Sequence, residues 1–143
     1  MKTIKKVFAY IVVNNRLVVF THRDHPEAGL QVPAGTVRLD EPVEAAVLRE
    51  AHEETGLAGL TVVQHLGRAM FQCTRLGGEE THDRFFFQLA YAGPLQEHWV
   101  HAERHDNLRP PTWFVFQWMD VGIAGERLIA DHGAFLSQLL PTD

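Results

Sequence analysis

The chain has 143 residues, 45% hydrophobic and 22% charged, which is the composition of one soluble globular unit with a real core. Thirteen Lys and Arg against eighteen Asp and Glu leave a net charge of −5. That argues against a broad basic surface for DNA or RNA, but not against a small anionic substrate, because a bound divalent cation reverses the local sign of a site. The single cysteine, Cys73, excludes an internal disulfide and a cysteine-pair zinc cluster; no apolar run approaches the roughly 18 residues of a membrane-spanning helix, so a reducing, cytoplasmic setting away from membranes is expected.

Taken in chain order, residues 7–13 (VFAYIVV) and 17–20 (LVVF) are β-branched and aromatic, and Asn14-Asn15-Arg16 between them tolerates the positive φ of a tight turn. A β-hairpin is predicted. The lysines before the first run do not make it a signal peptide, since it ends at a turn and lacks a small-residue cleavage site. Residues 21–39 hold Pro26, Gly29, Pro33 and Gly35 among charges and read as irregular loop with one short strand around 30–32. So long a loop points to a function that orders it.

A helix is predicted to start at Glu41-Pro42, with Pro at the first helical position and Glu44 reaching back as a cap, and to stop at Gly56. Val43, Val47 and Ala51 form its apolar stripe, which faces a sheet. Residues 60–70, 84–91 and 113–121 read as further strands, separated by polar loops over 75–83 and 96–112. Residues 125–140 carry Leu128, Ile129, Phe135, Leu136, Leu139 and Leu140 near helical spacing, interrupted by Gly133, and are predicted as a terminal helix. With no repeat, low-complexity tract or linker, residues 1–143 are expected to form one mixed α/β domain, helices flanking a central sheet.

The stretch Arg49 to Gly56, REAHEETG, carries the chemistry. Glu50, Glu53 and Glu54 stand at i, i+3 and i+4, within about 5–6 Å of each other at Cβ on one helical face. Like charges so placed repel, and a hard cation relieves the repulsion: Mg²⁺ takes oxygen ligands and accepts a few carboxylates together with substrate phosphate oxygens. Arg49 can pair with Glu53 one turn on. A helix also carries solvated glutamates routinely, so the acids alone decide little.

The full string GTVRLDEPVEAAVLREAHEETGL, Gly35 to Leu57, resembles the Nudix box of the MutT-like hydrolases: glycine, five residues, glutamate, seven residues, Arg-Glu, an aliphatic, any residue, Glu-Glu, any residue, glycine, aliphatic. Every charged and glycine position is filled; Ala51 stands where a larger aliphatic is usual. The resemblance implies an α/β/α sandwich with a mixed central sheet and hydrolysis of a pyrophosphate bond in a nucleoside diphosphate derivative, a nucleoside triphosphate or a nucleotide sugar, by water attack at phosphorus. It implies Mg²⁺ or Mn²⁺ held by Glu50, Glu53 and Glu54 with the Gly35 carbonyl, Arg49 orienting the glutamates, Glu50 or Glu53 as general base, and Glu41 stabilising the loop–helix junction. Arg23 falls where relatives contact phosphate, and Arg suits bidentate phosphate recognition.

Outside the box, Glu79, Glu80, Glu97 and Glu103 are further acids for the base role, each weighed against a solvated loop acid. His98, His101 and His105 match no compact zinc spacing. Trp99 is weighed between stacking on a nucleobase and filling core. The partner expected is a small nucleotide-derived molecule, with DNA and RNA disfavoured by the charge; relatives are often homodimers, and the sequence leaves the oligomeric state open. The alternative class is a non-catalytic Nudix module that senses a nucleotide, which would be expected to have lost box acids.

Overall fold

The computed structural model describes residues 2–75, 78–104 and 109–142. Among the described residues seven strands and two α-helices occur in the order β1 (Lys2–Val13), β2 (Arg16–His22), β3 (Ala34–Thr36), α1 (Val43–Thr55), β4 (Leu60–Arg75), β5 (Gly78–Tyr91), β6 (His98–Glu103), β7 (Thr112–Asp120) and α2 (Val121–Arg127). The strands form one mixed sheet in the order β4-β5-β1-β2-β7-β6, with β3 paired to β1. β1 and β5 run parallel, Phe8 opposite Phe86, and the other pairs are antiparallel.

The near-continuous apolar runs of β1 and β2 follow from burial on both faces. On one face Val7, Ala9, Ile11, Val18 and Phe20 meet Ala46, Val47 and Ala51 of α1. On the other, Phe8, Tyr10, Val12, Leu17 and Val19 meet Ala124 of α2 together with Leu128, Phe135, Leu136 and Leu139. Alternate side chains of the same strand thus build two cores, and each fully buried Val, Ile or Phe stabilises the sandwich by roughly 1.5–3 kcal/mol. Among the described residues no helix is long and apolar enough to cross a membrane.

The hairpin turn is as expected, Asn14 and Asn15 taking φ of 50° and 62°. Other expectations are corrected. The short strand of the long loop is β3, at Ala34–Thr36; residues 30 and 31 make only single bridges, Leu30 to Leu128 and Gln31 to Phe20. Residues 78–83 of the predicted loop are strand, because β4 and β5 pair from Leu60 opposite Tyr91 to Arg75 opposite Gly78; residues 76 and 77 lie outside the described residues. Polar side chains there pair across the strands, as Arg68 does with Asp83 at 2.7 and 2.8 Å, and so disguise the period. Residues 98–103 of the second predicted loop are strand β6. The terminal helix is only Val121–Arg127: Leu128 turns extended, Ala130 and Asp131 are left-handed at φ 50° and 61°, and a 3-10 turn follows at Leu136–Gln138. Its apolar residues contact the sheet without a continuous helix.

Candidate active site

Helix α1 is fixed at both ends by residues that also shape the site. It begins at Val43 after Pro42, and no side chain caps it; the expected Glu41–Glu44 cap is replaced by a different use of Glu41. Glu41 accepts the Arg38 backbone N–H at 3.0 Å and receives Arg49 Nε and Nη2 at 2.8 and 2.9 Å. Bonds from Arg49 hold its carboxyl down at about 2. At the other end Gly56 adopts φ 77°, the left-handed conformation that closes a helix, and its N–H returns to the His52 carbonyl. Two carbonyls of the last turn are satisfied from β6: Trp99 Nε1 donates to Thr55 O at 2.9 Å, and His101 Nε2 bonds Glu53 O at 3.0 Å. Trp99 stacks on Phe116 with ring centroids 5.2 Å apart, so it serves the helix end and the core rim.

The three box glutamates take distinct environments. Glu54 is 6% exposed, and burial raises its carboxyl well above the usual range, with Glu103 and Glu50 adding to the rise and the Ala34 N–H opposing it. Glu50 is half-buried and also raised, burial outweighing the Arg49 bond at 2.7 Å. Glu53 is 49% exposed at its side chain and meets Arg49 Nη1 at 3.4 Å and Arg38 at 4.0 Å. Arg49, whose Nη2 also donates to the Thr36 carbonyl at 3.1 Å, therefore ties Glu41, Glu50, Glu53 and the β3 backbone together. Its strongest partners are Glu41 and Glu50, with the predicted Glu53 pair the longest of the set.

Gly35 lies directly against Glu50: a Cβ added there would fall 2.0 Å from Glu50 Cδ. The glycine makes room for a carboxylate. Beside it a cavity of about 430 Å³ is lined by Gly35, Glu54 and Glu103 and also by Lys6, Arg84 and His132. Of the outlying acids, Glu103 on β6 is the one whose charge bears on both Glu50 and Glu54. Glu97 forms a bidentate pair with Arg16 at 2.6 and 3.1 Å, Glu80 bonds His82 at 2.9 Å, and Glu79 is exposed on β5. His98 is exposed on β6, and His105 lies outside the described residues.

Arg23 stacks over Trp113, 4.9 Å from the ring centroid, and pairs with Asp24 at 3.3 Å; it follows His22, which lines the cavity, but is not itself a lining residue. Lys6, His82, Arg84 and His132 were not legible as site residues, because they come from three distant segments and only the sheet brings them to one cavity.

The donor set suits a hard divalent cation. Crowded carboxylates, with Glu54 raised by burial and by the charges of Glu103 and Glu50, supply oxygen ligands beside a glycine whose missing side chain leaves them space.

The chain is similar in structure to a MutT Nudix hydrolase from Burkholderia pseudomallei, with a TM-score of 0.65 and 21% identity over 98% of this chain and 100% of the other. It is likewise similar to a Nudix hydrolase from Nitrosomonas europaea, with a TM-score of 0.64 and 20% identity over 88% and 78% of the two chains. A UDP-X diphosphatase gives a TM-score of 0.63 and 15% identity over 96% and 61%. No curated protein sequence matches the chain. The model of the NUDIX domain matches residues 3–139, nearly the whole sequence, and the chain therefore belongs to the Nudix hydrolase family.

Proposed function

We propose that this Nudix pyrophosphohydrolase cleaves the diphosphate of a small nucleotide derivative with the help of Mg²⁺ or Mn²⁺. The carrying observation is the buried Glu54 carboxylate, crowded by Glu50 and Glu103 at the wall of the cavity. Glu50, Glu53 and Glu54 with the Gly35 carbonyl would hold the cation. Bound there, a divalent ion offsets the charge of the phosphate oxygens and lowers the pKa of the attacking water.

Arg49 is a positioning residue: its bonds to Glu41 and Glu50 keep the Glu50 carboxyl at Gly35. Glu103, on a strand tied to the helix end through Trp99 and His101, takes the proton of the water. Glu50 and Glu53, the acids first considered for that step, are engaged by Arg49. Arg23, at the strand end next to His22, would meet the substrate at the mouth of the cavity.

Incubation with Mg²⁺ and a panel of nucleoside triphosphates, nucleotide sugars and dinucleoside polyphosphates, followed by chromatography, tests the reading. Turnover of at least one member should fall at least about 100-fold in Glu54→Gln and vanish in EDTA. Activity surviving in EDTA or in that variant contradicts it, and nucleotide binding without turnover favours the sensing alternative.

A further inference from the structure

The cavity also holds cationic side chains: Lys6, whose charge bears on Glu54, and Arg84, whose charge does not figure at Glu50 or Glu54. Arg84, on β5, is 4% exposed and lines the cavity. Its guanidinium lies over Phe8 and Phe71, 4.7 and 3.8 Å from the ring centroids. Nη1 donates to the Ala130 carbonyl at 2.6 Å, while Nε is buried without a hydrogen-bond partner among the described residues. No ion pair joins Arg84 to a carboxylate among the described residues, although a guanidinium has five N–H donors to place. A cation taken out of water without a counter-charge is strongly destabilising.

The surroundings agree. Burial dominates the environment of Arg84, and the pull of Asp131 and Cys73 is smaller. Lys6, bonded to Thr36 at 2.9 Å, lines the same cavity. Both cations oppose protonation of His82, and Arg84 opposes that of His132. The neighbouring side chains of Cys73, Glu80 and His82 bring their ligand atoms within 4.8 Å of one another; burial chiefly lowers His82, the Glu80 bond opposes that, and Lys6 and Arg84 add to the lowering.

We propose that Arg84 anchors a phosphoryl group of the substrate other than the pair cleaved at the glutamates, and so selects a nucleotide with an additional phosphate over one whose diphosphate ends in an uncharged sugar. This rests on the hydrolytic reading of the same cavity. A diphosphate at the glutamates would have part of its charge met by the divalent ion, whereas Arg84 has no carboxylate paired with it among the described residues. Two aromatic faces fix the plane of the guanidinium, which suits the two-point geometry of a phosphate better than an ammonium would.

The test is thermal unfolding in EDTA, where turnover plays no part, with ATP, inorganic pyrophosphate and UDP-glucose as probes. The wild-type midpoint should rise with ATP and pyrophosphate and less with UDP-glucose. Arg84→Met should unfold, without ligand, at or above the wild-type midpoint, because an unpaired buried cation is gone, and its apparent affinity for ATP and pyrophosphate should be at least tenfold weaker. Arg84→Lys should keep the fold and show an intermediate affinity. The proposal is overturned if the wild-type midpoint does not respond, if unliganded Arg84→Met fails to fold or melts several degrees lower, if either variant binds undiminished, or if UDP-glucose protects as well as ATP. Failure of the hydrolytic reading is seen separately, as turnover that survives Glu54→Gln in Mg²⁺.

Discussion

Gly35→Ala isolates the contact on which the site depends. The added methyl would lie 2.0 Å from Glu50 Cδ, 2.1 Å from Oε2 and 2.4 Å from Cγ. Carbon atoms settle at about 3.5–4.0 Å, so the carboxyl must retreat by about 1.5 Å. Gly35 has no positive φ, and the methyl meets a side chain, not backbone; the fold can yield by moving Glu50. Overpacking of this kind costs about 1–3 kcal/mol of stability. A retreat of that size disturbs the 2.7 Å bond from Arg49 and would withdraw an oxygen from the proposed cation site. A 1 Å misplacement at a reacting centre costs roughly 100-fold in rate, about 2.7 kcal/mol in barrier. The measurement is kcat as a function of Mg²⁺, alongside circular dichroism and the thermal midpoint. We expect kcat to fall about 100-fold, half-saturation in Mg²⁺ to rise, and the fold to persist. Shortening the acid in Gly35→Ala/Glu50→Asp should restore part of the rate. A folded Gly35→Ala protein within twofold of wild type in kcat and Mg²⁺ dependence would refute the reasoning, since Glu50 would then not be held where the chemistry occurs.

Two further outcomes follow from the same geometry. Glu103→Gln should lower kcat at least about 100-fold while leaving Mg²⁺ binding, followed by calorimetry, within a few-fold of wild type; unchanged kcat would move the base role back to Glu50 or Glu53. His132 is buried, accepts the Val32 N–H on Nδ1 at 3.2 Å, and is pushed by burial and then by Arg84 down to about 3. Its contribution to stability is therefore complete above the ordinary histidine value of 6.5 and declines as pH falls toward 3, because the unfolded chain takes a proton that the fold refuses. Urea unfolding at pH 7, 6 and 5 should show a decline from this group approaching roughly 1.4 kcal/mol per pH unit, flattened in His132→Asn. Identical slopes in the two proteins would remove His132 as the cause.

The helix and its acids were legible because their signals are local: Gly56 ends the helix by its own backbone preference, and the spacing of Glu50, Glu53 and Glu54 is set by one turn. Local sequence could not show that the three acids differ in exposure, since that depends on β3 and β6 closing over one side of α1. Glu103 could not be told from Glu79, Glu80 or Glu97 for the same reason. Residues 78–83 read as loop because they are polar: Asp83 and His82 meet partners on β4 and Glu80 meets His82, an arrangement that leaves no apolar alternation to see. Helical spacing misled at the terminus, where Leu128, Phe135, Leu136 and Leu139 contact the sheet from an irregular path.

The parallel neighbour of β1 bears on how the molecule is made. No hairpin can supply that pairing, so β1 gains its parallel neighbour only after Gly78–Tyr91 has left the ribosome. Until then VFAYIVV presents a bare hydrogen-bonding edge and two oily surfaces to the cell, which is a template for self-association. Lys2, Lys5 and Lys6 stand at its exposed end, where repulsion between nascent copies guards the segment during the wait.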